Sequence, residues 1–229
     1  MSSRMPDPID LHPSERHRAQ HGLVRTLVRE GITDERVLAA FRLVPRDRFV
    51  PPKSRPHAYE DRPLPIPHGQ VTTQPSLIAR MLEGLRLSGD ERVLEVGTGL
   101  GFQTAILSVL AREVVTIERF PDLAEQARMN LEAAGIRGAC IVVGDGTLGV
   151  PGEAPYGGIV VAAASPAVPT PLVGQLEEGG RLVHPMGPGG SESVMAFRKE
   201  NGRSVEEAFL TGAHFVRLVG AHGQAADTD

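Results

Sequence analysis

The stretch Leu94-Glu95-Val96-Gly97-Thr98-Gly99-Leu100-Gly101-Phe102 runs an apolar strand into three alternating glycines and then into a helical pattern that reaches Ala111. Glycine has no Cβ, so this turn can take positive φ and let a ligand press against backbone N–H groups at the start of the helix. Working outward, Arg92–Val96, Val114–Glu118, Cys140–Val143, Gly158–Ala162 and Arg181–His184 read as short buried strands. Helical patterns lie between them: Pro121 opens one that Gly135 closes, and Pro171–Glu177 is the last. This alternation with short links predicts an α/β fold with a doubly wound, mostly parallel sheet. Further on, Val194–Arg198, Glu206–Leu210 and Phe215–Val219 read as strands joined by tight turns. Asn201-Gly202 is a hairpin signal, so antiparallel C-terminal strands are expected.

Three helical patterns upstream form an N-terminal helical cap. Ser14 is expected to cap a helix carrying Leu23, Val24, Leu27 and Val28, and Thr33 one carrying Val37, Leu38 and Phe41. A third follows Pro75 with Leu77, Ile78, Met81, Leu82 and Leu85 on one stripe. The proline-dense run Pro45–Pro67 reads as a loop tethered over a surface. Residues 1–13 and 221–229 read as loose ends, and 14–88 and 89–220 as two parts of one structural domain.

Composition bounds the function. The 229 residues carry a net charge of −4, with 41% hydrophobic and 23% charged, which excludes a disordered tail, a collagen-like rod and a supercharged binder. Cys140 is the only cysteine, which excludes a disulfide framework and a multi-cysteine zinc site within one chain. No apolar run approaches the roughly 18 residues of a membrane span. The N-terminus mixes Arg4, Asp7 and Asp10 with prolines and lacks the apolar core of a secretory signal, so the expectation is a cytoplasmic protein.

The glycine turn suits a dinucleotide or an S-adenosylmethionine site, and spacing separates the two. The dinucleotide fingerprint G-x-G-x-x-G needs a glycine where Phe102 stands, whereas here the third glycine comes one residue early, at Gly101. Glu118, ending the next strand, can accept both hydroxyls of a ribose, and Asp145 of Gly144-Asp145-Gly146 can accept from an adenine amino group. Turn, acid and Gly-Asp-Gly at three successive strand ends point to a nucleoside site, since ligands bind at the carboxyl ends of such strands.

Two longer stretches carry a resemblance to a family. Leu64-Pro65-Ile66, followed by Gly69-Gln70-Val71-Thr72-Thr73-Gln74-Pro75 and a helix, resembles the protein-L-isoaspartate O-methyltransferase signature, as does Val93 to Ala105. The order continues through Ala154-Pro155-Tyr156, Gln175 to Val183 and Phe215-Val216, so the likeness spans about residues 14–220. It implies a Rossmann-like class I methyltransferase fold, S-adenosylmethionine as methyl donor, and the carboxylate of isoaspartyl or D-aspartyl residues in damaged proteins as acceptor. It also implies that Thr73, where the family usually has serine, contacts or organises the acceptor carboxylate. Val71, Thr72, His214 and Val216 would line a peptide groove. Glu95, Gly97, Thr98, Gly99, Gly101, Glu118, Asp145 and Gly146 would hold the cofactor, with Glu95 supporting the turn or the donor's methionine end. Thr73 is also well placed to N-cap the helix after Pro75. Arg217 stands where the family commonly has proline. That departure, with Thr73, leaves open a relative dedicated to one peptide substrate, and a non-catalytic S-adenosylmethionine-binding module is the rival of another class.

Other residues have plainer readings. His17 and His21 lie one turn apart on a solvated helix face without a third ligand, so no metal is expected. His68 reads as a surface loop residue, His184 as structural and Cys140 as a small core residue. Asp61 is either a turn acid or a group that orients the acceptor loop. Arg46, Arg48, Lys53, Arg55 and Arg62 make the proline-rich loop basic, a rim for an acidic peptide; few aromatics and the net negative charge argue against nucleic acid. With no coiled coil or long exposed apolar stripe, a monomer is expected.

Overall fold

In the computed structural model, which describes residues 12–188 and 190–225, the strand entering the glycine turn lies in the middle of the sheet. Its burial explains the position: Val93 and Leu94 are both fully buried and point to opposite faces, so both faces must be covered. A two-stranded ribbon, β1 (Leu64–Pro65) and β2 (Val71–Thr72), precedes the main sheet. The main sheet holds β3 (Arg92–Val96), β4 (Glu113–Glu118), β5 (Cys140–Val143), β6 (Tyr156–Val161), β7 (Leu176–Met186), β8 (Glu192–Glu200) and β9 (Arg203–Ala213). Their order is β5-β4-β3-β6-β7-β8-β9, parallel through β7 and antiparallel beyond it. Asn201 (φ 51°) and Gly202 (φ 75°) make the β8–β9 turn, both in the left-handed region that such a two-residue turn requires.

Among the described residues six α-helices flank the sheet: α1 (Pro13–Arg29), α2 (Glu35–Leu43), α3 (Pro75–Leu85), α4 (Phe102–Leu110), α5 (Pro121–Ala133) and α6 (Thr170–Gln175). One apolar cluster joins Leu27 of α1, Phe41 of α2, Met81 of α3 and Ile106 of α4 to Val93, Val114, Val160 and Val183 of the sheet. The N-terminal helices thus share a core with the sheet, each buried side chain contributing about 1.5–3 kcal/mol. A second cluster on the other face gathers Leu94, Ile117, Ile159, Leu182, Leu172 and Leu218.

Several expectations are corrected. His12, not Ser14, caps α1, its ring taking the Ser14 N–H, and Asp34, not Thr33, caps α2 by accepting from Arg36 N and Val37 N. Thr33 instead gives its N–H to Glu83 Oε1 at 2.7 Å. The proline-rich run holds two short 3-10 helices, Arg46–Phe49 and Pro52–His57, because Pro fixes φ in the range such turns use. Phe215–Val219 is not a strand: Glu192 Oε2 takes the Phe215 N–H at 2.8 Å, and the chain then crosses to Ala164, which bonds Val216 O and Leu218 N. Cys140 is exposed, since β5 is an edge strand. Residues 1–11 and 226–229 of the predicted loose ends lie outside the described residues. The described 221–225 are bonded in, with Gln224 N on Leu218 O at 2.7 Å and Gln224 Nε2 on Ala164 O at 3.0 Å.

Candidate active site

At the carboxyl end of β3 the backbone turns away through Gly97 (φ 97°), Gly99 (φ 55°) and Gly101 (φ 91°), a conformation that L side chains rarely adopt. A Cβ on Gly97 would stand 3.3 Å from Ala162 Cβ. Gly97, Thr98 and Gly99 wall a cavity of about 970 Å³ that also takes in Val71, Thr72, Thr73, Glu118, Gly146, Val216 and Arg217. Gly101 is not on that wall. It is the N-cap of α4, and a Cβ there would meet Ala127 and Leu131 of α5 at 3.4 Å, so it serves helix packing.

Beneath the turn runs a buried polar chain. Thr98 Oγ1 pairs with Thr116 Oγ1 at 2.6 Å, Thr116 donates to Glu95 Oε2 at 2.7 Å, and Thr104 donates to the same oxygen. Glu95 is fully buried, and desolvation pushes its carboxyl up to about 7 against those hydrogen bonds. It is set back from the cavity wall, and its bonds to Thr104 and Thr116 brace the turn. Gln103 does line the cavity; its amide lies near Glu95, yet neither Nε2 nor Oε1 completes a hydrogen bond.

The two predicted nucleoside acids differ. Glu118 lines the cavity, with Oε2 taking Gly99 N–H at 2.9 Å and Oε1 taking Phe120 N–H at 3.1 Å. Each oxygen keeps further lone-pair capacity. Asp145 does not line it. Its Oδ1 accepts from Thr147 N at 2.9 Å and Thr147 Oγ1 at 2.6 Å, and its Oδ2 from Ala221 N at 2.7 Å. Burial would raise its pKa, but the Ala221 and Thr147 donors outweigh it and hold the carboxyl below its ordinary value. In this structure the carboxylate ties down the C-terminal segment, and its neighbour Gly146 meets the cavity.

Thr73 stands on the wall common to this cavity and a second one of about 490 Å³. Val71 and Val216 are also shared, Thr72 faces only the first and His214 only the second. Thr73 does not cap α3, whose N-cap is Gln74 without a side-chain bond. Asp61 takes that place, with Oδ1 on Ser76 N at 2.8 Å and Oδ2 on Gln74 Nε2 at 3.0 Å, so it fixes the start of α3. His68 (φ 60°) stacks on Phe120 at 4.2 Å and pairs with Asp122 at 2.8 Å, fastening the β1–β2 loop over the turn. His184 is buried against Ser165 Oγ at 2.8 Å, and desolvation pulls it down to about 4, as a structural residue.

The residue that sequence reading missed is Arg46. Placed on a basic rim by its neighbours, it is in fact fully buried and donates to Ala58 O, Glu60 O, Arg62 O, Thr73 O and Thr72 Oγ1.

A parallel sheet with antiparallel end strands, a glycine turn and an acid at the next strand end define an S-adenosylmethionine-dependent methyltransferase of class I. The cofactor fits these residues: backbone turn without Cβ atoms, a carboxylate with open lone pairs for a ribose, and an unpartnered buried amide at Gln103 for a polar end group. The sequence pattern of the protein-L-isoaspartate(D-aspartate) O-methyltransferase (PCMT) family matches residues 18–223, and the chain belongs to that family. It is 50% identical over 216 residues to a protein-L-isoaspartate O-methyltransferase of Methanoculleus marisnigri, covering 94% of this chain and 97% of that one. A second such protein, from Marinobacter nauticus, is 48% identical over 198 residues, 86% of this chain and 90% of its own. A solved protein-L-isoaspartate O-methyltransferase superposes with TM-score 0.79 at 30% identity, over 89% of this chain and 67% of that one. No helix among the described residues is long and apolar enough to cross a membrane.

Proposed function

We propose that the protein methylates the free carboxylate of isoaspartyl, or D-aspartyl, residues in damaged proteins, using S-adenosylmethionine, as the first step of repair. The observation that carries this is Thr73 on the wall common to two cavities, one walled by the glycine turn and Glu118 and the other by His214 and Phe215. When bound, the cofactor supplies a methyl group on a sulfonium, an electrophile. Gly97, Thr98 and Gly99 would receive its backbone-facing side, Glu118 its ribose, Gly146 its base and Gln103 its amino-acid end. A carboxylate with a reference pKa near 4 is ionised at neutral pH and needs no general base. What the chain supplies is position: Thr73 Oγ1–H donates to the acceptor oxygen, Val71, Thr72, His214 and Val216 hold the peptide, and the apolar walls exclude water. Such positioning contributes roughly 7–11 kcal/mol in favourable cases. The methyl ester then closes to a succinimide as the following backbone nitrogen displaces methanol.

Residues 14–88 and 89–220 are read as one structural unit, a view supported by their common core. We also read the protein as a monomer acting in the cytoplasm, where an exposed lone thiol such as Cys140 persists. The test offers radiolabelled S-adenosylmethionine with two peptides differing only in aspartate or isoaspartate, and counts methanol released by mild base. Label from the isoaspartyl peptide alone is expected. Label from neither, with the cofactor bound, would overturn repair in favour of a dedicated substrate or a binding role.

A further inference from the structure

Behind the acceptor strand stands a cation without a carboxylate on it. Arg46 has no exposed surface, and its five hydrogen bonds all go to neutral oxygens. Nη1 donates to Ala58 O and Glu60 O at 3.0 Å. Nη2 donates to Thr72 Oγ1 at 2.9 Å, Arg62 O at 3.1 Å and Thr73 O at 3.2 Å. Nε has no partner, and the guanidinium carbon lies 5.6 Å from the Phe102 ring centroid. Asp61, Arg62 and Tyr59 act on it only through space, and the Asp61 oxygens are occupied by Ser76 N–H and Gln74 Nε2. Burial pulls the guanidinium down to about 10, which leaves it charged at neutral pH.

Buried charges are ordinarily paired, because an uncompensated one is costly. Neutral donors could have bolted these carbonyls together. The two residues that Nη2 reaches on β2 and just after it, Thr72 and Thr73, are also walls of the cavity. Asp61 offsets the burial only from a distance and is bonded elsewhere, so an anionic acceptor brings a further counter-charge. We propose that Arg46 selects an ionised carboxylate as acceptor: it positions Thr72 and Thr73 and supplies the buried positive charge that the substrate carboxylate compensates. This rests on reading the cavity as an isoaspartyl site.

The test titrates the full-length protein, with S-adenosylhomocysteine bound to prevent turnover, against an isoaspartyl peptide and its neutral isoasparaginyl counterpart. Preference of the unmutated protein for the isoaspartyl peptide is expected; equal binding of the two would overturn the acceptor reading itself. Arg46→Met is expected to lose that preference by about tenfold or more. A variant that binds both peptides more weakly but keeps the ratio would make Arg46 a structural bolt and overturn the proposal. If Arg46→Met no longer binds S-adenosylhomocysteine, Arg46→Lys decides. Lysine keeps the charge with at most three donors, so the preference persists while kcat falls about tenfold at little-changed KM. Loss of the preference in the lysine variant, its charge intact, would overturn the proposal.

Discussion

At the cofactor end, Gly97, Thr98 and Gly99 follow directly from one buried strand, and their backbone shapes the wall. At the Thr73 end, β2 is two residues long and is held from outside by Arg46 from an earlier turn, while Asp61 from the loop before β1 fixes the start of α3 just beyond it. The first is a local device, in which a strand, a set of φ angles and a following helix sit within a dozen residues. The second depends on side chains brought together across the chain, so its geometry is as firm as the buried polar contacts that hold it. A short strand with few ladder bonds cannot fix Thr73 by itself.

The contrast can be broken at either end. Gly97→Val imposes a side chain at φ 97° and against Ala162, so S-adenosylhomocysteine binding measured by calorimetry is expected to fall at least a hundredfold. Thr73→Ala removes a donor to a charged group, and kcat is expected to drop about 10–100-fold with cofactor affinity unchanged; Thr73→Ser should retain most activity. Equal losses in cofactor binding would show that the Thr73 end is not separable from the turn. Glu118→Gln is expected to weaken the cofactor about tenfold. Glu95→Gln tests the polar chain under the turn. Its carboxyl rises from an ordinary 4.5 to about 7, so in that window the native state holds a proton the unfolded chain has released. Stability therefore falls as pH rises from about 4.5 to 7 and levels off above. The variant should lack this pH-dependent change, of the order of 3 kcal/mol, in denaturant melts across that range. The smallest effect is expected from Asp145→Asn: less than about threefold in cofactor affinity, with a modest loss of thermal stability, because its hydrogen bonds are internal. A tenfold loss there would support the adenine contact.

Strand positions, the glycine turn and most helix positions were legible because each depends on residues adjacent in the chain. Arg92–Val96 and Cys140–Val143 stand where the apolar runs put them, and Asn201-Gly202 turns as that pair does. The Phe215–Val219 reading failed because a remote buried acid, Glu192, takes the Phe215 N–H; no local pattern carries that information.

The sequence by itself determined the α/β class, the glycine turn that walls the cavity and the family, because strand period, glycine spacing and turn chemistry act over a few residues. Only the tertiary structure decided that Asp145 belongs to the tail and Asp61 to the α3 cap. It alone also turned Arg46 inward behind Thr73. Those assignments turn on which buried polar groups find each other across tens of residues, and a one-dimensional pattern does not specify a partner.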